Sequence, residues 1–166
     1  MRALEVDARR YAWCRGSALW IVGIAVPIYL EDVRGAVQAE QGALLRWAAR
    51  MLGEACAVAL NVALNMDRPI PSPTVRGSWA LERIQGHRLW QPCWELIQGV
   101  DVVPPEVIAE RCEELVEDVR IVVGEMPNPL LPEGQLPALA LGRDWLKLMD
   151  AIGEEPPLPR DWIRPT

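Results

Sequence analysis

The sequence predicts an all-α protein: a single antiparallel bundle of five to six helices over residues 1–152, then an extended Pro-rich tail over 153–166. Three observations carry this. Glu31 to Asn65 holds no proline, and from Leu44 onward its apolar residues recur with helical spacing. A second stripe, Ile108, Cys112, Leu115, Val116, Val119, Val122 and Val123, recurs the same way. No alternating run elsewhere offers a partner for a strand. With 166 residues and 51% apolar composition, the chain suits one domain with a packed core.

Ala3 to Arg15 reads as a helix with Leu4, Ala8, Tyr11 and Ala12 on one face. The run from Ser17 to Leu30 is β-branched and interrupted by Gly23 and Pro27. At fourteen residues it is shorter than the roughly 20 that a membrane span needs. Glu5 and Asp7 ahead of it do not suit a signal peptide. It reads as a core helix that Pro27 kinks or ends. The long stretch that follows is expected to break near Gly42. Its inner face is Leu44, Leu45, Ala48, Met51, Leu52, Ala55, Cys56, Ala59, Val62 and Ala63. Asn65 can cap its end, and Pro69, Pro71 and Pro73 forbid continuation.

Ser72 to Gly99 reads as one helix broken at Pro92, or as two short ones, with Leu81, Ile84 and Leu89 inward. Pro104 and Pro105 open the next helix, and Glu106 in its first turn suits the dipole. Glu113, Glu114, Glu117 and Asp118 read as its solvated face. Met126 to Pro137 contains four prolines and reads as loop. A last helix is expected from Leu139 to Ile152, with Leu141, Trp145, Leu148, Met149 and Ile152 inward. Trp162 in the tail is expected to dock on the body.

Composition excludes several functions. Net charge is −6, so neither nucleic acid nor an anionic membrane is an expected partner. Cys14, Cys56, Cys93 and Cys112 form no CxxC pair and read as buried free thiols in a reducing cytoplasm. His87 is the only histidine, so no metal and no cofactor is expected. Phosphate-loop, dinucleotide and serine-hydrolase signatures are absent.

The candidate site rests on a polar stripe. Trp47, Arg50, Glu54, Asn61 and Asn65 recur three, four, seven and four residues apart on one helical face. Arg50 and Glu54, one turn apart, can pair. Read functionally, the stripe walls a polar pocket in which Asn61 and Asn65 orient a ligand and Glu54 binds an amine or acts as a base. Read plainly, it faces solvent. Asn61 resists the plain reading, because an exposed face more often carries Glu, Lys or Arg, and capping does not explain it. Opposite would stand the Trp-bearing segment, with Trp79, Arg83, Trp90 and His87, the histidine a candidate general base one turn after Arg83. Eight Trp and no Phe fit a pocket lined by aromatic walls.

Leu64, Asn65, Arg68, Pro71, Ser72, Pro73 and, more loosely, Trp79 follow a pattern. It is similar to the helical domain after the catalytic domain of some nucleotidyltransferases, the kanamycin-nucleotidyltransferase-like C-terminal and HEPN-type bundles. The resemblance covers roughly residues 31–125. It implies a helical module that binds a substrate or a separate catalytic protein. Two departures count against catalysis. Gly16-Ser17 and Glu31-Asp32 do not make the family's metal-binding motif, and Arg83 is only four residues before His87, with three between. Two functions are therefore expected. One is a binding module, with a partner protein, a second copy or a small polar ligand. The other is a small all-α enzyme of bacterial secondary metabolism with His87 or Glu54 as base.

Overall fold

The computed structural model describes residue 18, residues 21–64 and residues 77–124, with side chains from residue 80 in the last segment. Among these residues the chain is all helical, with no strand. A π-helical stretch, Ile21–Ala25, runs into α1, Val26–Gln38. Next come α2, Gly42–Leu64, α3, Gly77–Arg83, and α4, Trp90–Ile97. A 3-10 turn, Val100–Val102, leads to α5, Pro105–Val123. The expectations for Ala3–Arg15, Asn65 to Thr74, Leu139–Ile152 and the tail with Trp162 lie outside the described residues.

Pro27 does not end its helix. It sits in the first turn of α1, just after the π-helical residues. Proline lacks the N–H that an α-helix would direct at the residue four back, and the wider turn accommodates that gap. The expected break before Gly42 is present. Glu40 takes a left-handed φ of 53°, and the N–H groups of Glu40 and Gln41 donate to Val37 and Ala36 carbonyls. These two bonds close a helix in the manner usual for glycine, here with a glutamate at the left-handed position.

The break between α3 and α4 is not at Pro92. It lies over residues 84–89, where Gly86 adopts a φ of 91°. Pro92 is the third residue of α4. The first N–H groups of a helix have no intrahelical acceptor, so proline loses nothing there.

α2 touches every other helix and is the axis of the fold. Its core ridge is Leu45, Ala48, Ala49, Leu52, Cys56, Ala59 and Leu60. The stripe read from sequence was turned slightly too far, since Leu44 is 40% exposed and Met51 and Ala55 are half-buried. α2 is also the one described helix long and apolar enough to cross a membrane, with 56% of its most apolar window buried by its neighbours. Of the stripe expected on α5, Ile108, Cys112, Leu115, Val116, Val119 and Val123 are buried and Val122 is half-buried.

Side-chain bonds fix the registers. Arg46 donates through one guanidinium nitrogen to the carbonyls of Val100 and Val103, the latter at 3.0 Å. Gly53 lies against Leu96 and Ile97. So α4 runs antiparallel to α2. Arg88 pairs with Asp118 at 3.2 Å and Arg111 with Glu95 at 2.6 Å, so α5 runs antiparallel to α4. Arg34 holds both carboxylate oxygens of Glu113 at 2.8 and 3.0 Å and bridges to Glu31, linking α1 to α5. Part of the acidic face of α5 is thus engaged across helices. Such exposed pairs contribute about 0–1 kcal/mol each.

Those registers bring three cysteines far apart in sequence into one layer. Cys56, Cys93 and Cys112, from α2, α4 and α5, are free and fully buried.

Candidate functional site

The polar stripe of α2 does not share one environment. Trp47 is 47% exposed and meets Tyr29 of α1 edge to face, ring centroids 6.3 Å apart. Arg50 and Glu54 are half-buried. Asn61 is 5% exposed and is the one buried polar side chain among the described residues. A buried amide without a partner costs about 1–3 kcal/mol, and Asn61 is engaged rather than bare.

Arg50 does not pair with Glu54 one turn on. Its Nε donates to the Ile97 carbonyl at 3.2 Å, and its other arm reaches Asp101 Oδ2 at 3.1 Å. The end of α4 exposes carbonyls without intrahelical donors, and a guanidinium close by satisfies one of them. Arg50, with Arg46 one turn earlier, therefore holds the end of α4 and the 3-10 turn onto α2.

His87 is half-buried in the turn between α3 and α4, and its Nδ1 accepts the Leu89 N–H at 3.2 Å. This local bond shapes the entry to α4 as an Asx turn would. Arg83 ends α3, so Arg83 and His87 do not share a helix as the sequence suggested. The α2–α4 register does set the His87 turn level with the last turns of α2, which carry Asn61. Trp90 opens α4 and stacks on Trp94, centroids 6.2 Å apart and planes 23° from parallel. Asn65 and the side chain of Trp79 lie outside the described residues, and with them two walls of the polar cavity expected here.

His87→Ala should lower stability by about 0.5–1.5 kcal/mol, the range of a lost local cap. His87→Asn should recover most of it, because an asparagine oxygen accepts the same N–H. Urea denaturation of the three proteins checks this, and equal midpoints would remove the capping role.

Cysteine chemistry is closed off among the described residues. Burial pushes the Cys93 and Cys112 thiols up to about 12, and Glu113 adds to the shift at Cys112. Burial likewise raises Cys56 well above its ordinary value, with Cys93 and Cys112 contributing. A nucleophile must be a thiolate, so these are packing groups. Among the described residues, no group of three or more His, Cys, Asp or Glu side chains is placed to hold a metal.

Sequence reasoning passed over Arg46 and Asp101, and it noted Trp94 near His87 without placing it in the candidate site. Trp94 was findable, because Trp90 and Trp94 are four residues apart and so share a helical face. Trp94 is 42% exposed. Beside it Gln91 Nε2 donates to Glu95 Oε1 at 3.0 Å, and Arg111 holds the other oxygen. An aromatic centre with a polar border results.

Fold and site together define an all-α helical bundle with a stacked tryptophan pair, Trp94 exposed and Trp90 half-buried against the core. No family model, no curated protein and no solved structure matches the chain.

Proposed function

We propose that the chain is a helical binding module whose contact surface centres on the stacked Trp90–Trp94 pair. That pair is the observation that carries the reading. Large aromatic side chains with polar borders dominate binding surfaces, since they bury much area at little entropic loss. The pair lies beside the His87 turn, so the Asn61 end of α2 borders the same region. The resemblance to nucleotidyltransferase-associated helical domains suggests a separate catalytic protein as the partner.

The enzyme reading has less support. His87 offers only Nε2 for chemistry, because Nδ1 is engaged, and Arg50 is committed to α4.

The test is retention from the source host, with wild-type chain and the Trp90→Ala/Trp94→Ala variant as baits and light scattering for mass. A species held by the wild type and lost by the variant, with thermal stability matched, supports the module. A wild-type chain that retains nothing overturns it.

A further inference from the structure

Three carboxylates among the described residues are half-buried: Glu54, Glu95 and Asp118. Arg111 holds Glu95 at 2.6 Å, and Arg88 holds Asp118 at 3.2 Å. No cation among the described residues reaches Glu54. Arg50, one turn earlier, is spent on the Ile97 carbonyl and on Asp101. A half-buried carboxylate has lost part of its water, so an arriving cation gains more there than at a fully exposed acid.

The register places Glu54 beside the tryptophans. Gly53 lies against Leu96, Ile97 and the Cys93 carbonyl, so the next residue, Glu54, is level with Trp94. The sides also agree. Arg50 reaches Ile97 on one side of the α2–α4 seam, and Glu95 reaches Arg111 of α5 on the other. Glu54 follows Arg50 by one turn and so stays on the first side. Trp90 and Trp94 precede Ile97 by seven and three residues, which keeps them on that side too. The seam there carries a carboxylate from α2 and two stacked indoles from α4, with Trp94 42% exposed. Asp101 offsets the charge of Arg50, so Glu54 leaves this side of the seam negative.

We propose that the seam receives an arginine side chain of the partner protein, its guanidinium seated between the Glu54 carboxylate and the face of Trp94. A guanidinium is planar, stacks on an indole and offers paired N–H donors to a carboxylate, so one group meets both walls. The arginine seat deepens the reading of Trp90–Trp94 as the contact surface and rests on it.

The probe is a capped Gly-Arg-Gly peptide, with citrulline in place of arginine as its uncharged isostere. The readout is the indole N–H resonance of Trp94 in the full chain. The arginine peptide should shift that resonance and saturate at about millimolar concentration or below, and the citrulline peptide should bind at least about tenfold more weakly. Glu54→Gln should weaken the arginine peptide by about tenfold and leave the urea midpoint where it is. Glu114→Gln, at an exposed carboxylate of α5, should change neither. Equal affinity for the two peptides overturns the proposal, as does binding that Glu54→Gln leaves unchanged or that does not shift Trp94. The same Glu54→Gln chain, used as bait against the source host, separates the two readings. A species held equally by wild type and Glu54→Gln overturns the arginine seat and leaves the module standing. A wild type that binds the arginine peptide through Glu54 yet retains nothing from the host supports the seat and overturns the module.

Discussion

Gly53→Leu is expected to destabilise the bundle by about 3 kcal/mol or more, the upper end of overpacking costs, out of the roughly 5–15 kcal/mol that holds a domain folded. Gly53 is a point of close approach between α2 and α4. A Cβ there would sit 2.9 Å from Leu96 Cβ, 3.1 Å from Ile97 Cγ1 and 3.5 Å from the Cys93 carbonyl oxygen. The first neighbour is a Cβ fixed to the α4 backbone, so it cannot turn aside. Gly53→Ala is the finer measure. Alanine gains about 1 kcal/mol of helix propensity, while the clash costs about 1–3 kcal/mol, so a net loss is expected. Gly35→Ala is the control. A Cβ at Gly35 meets nothing within 4 Å, so that change should stabilise by about 0.5–1 kcal/mol. Urea midpoints of the three variants decide the matter. Equal behaviour of Gly53 and Gly35 would mean that the helices do not touch at Gly53.

Alkaline pH should unfold the protein through its cysteine layer. In the folded state burial pushes Cys93 and Cys112 up to about 12, against an ordinary value of 9.0, and raises Cys56 well above that ordinary value too. The sign follows from proton counts. Between 9.0 and about 12 the unfolded chain releases protons that the folded chain keeps. Stability is therefore full below the unfolded value and falls as pH rises through this window, by up to about 1.4 kcal/mol per pH unit for each thiol. Cys93→Ala and Cys112→Ala should each flatten the slope by one thiol's share, which separates this effect from other alkaline titrations. Below the window, thiol reagents should label these cysteines only at the rate of unfolding. Rapid labelling of the folded protein would show that the layer is open to solvent.

The fold was legible because single-helix periodicity is a local property. The stripes of α2 and α5, the break before Gly42 and the buried Leu81, Ile84 and Leu89 each follow from spacing along one segment. The errors arose where two segments meet. Arg50 has Glu54 one turn away in sequence, yet chooses a carbonyl and Asp101 that only the packing of α4 supplies. The cysteines look scattered along the chain, and the antiparallel registers gather three of them. Pro92 seemed the stronger breaker, but position within the helix decides what proline does, and Gly86 made the turn. Of the site, Asn61 was singled out correctly as ill suited to solvent, because composition alone marks an amide among aliphatics. That His87 supports its own turn was not legible, since the bond depends on the backbone geometry of residues 87–89.

The π-helical residues before Pro27 determine more than how the proline is tolerated. Ala18, Val22, Val26 and Leu30 are buried at strict four-residue intervals, and Val33 and Ala36 follow at three. A regular α-helix would let the first set drift around its surface, and the wider turn resets the phase so that both sets point inward. Ile21–Ala25 thus works as an angular vernier that holds Ala18 and Val22 on the same buried side as Val26 and Leu30.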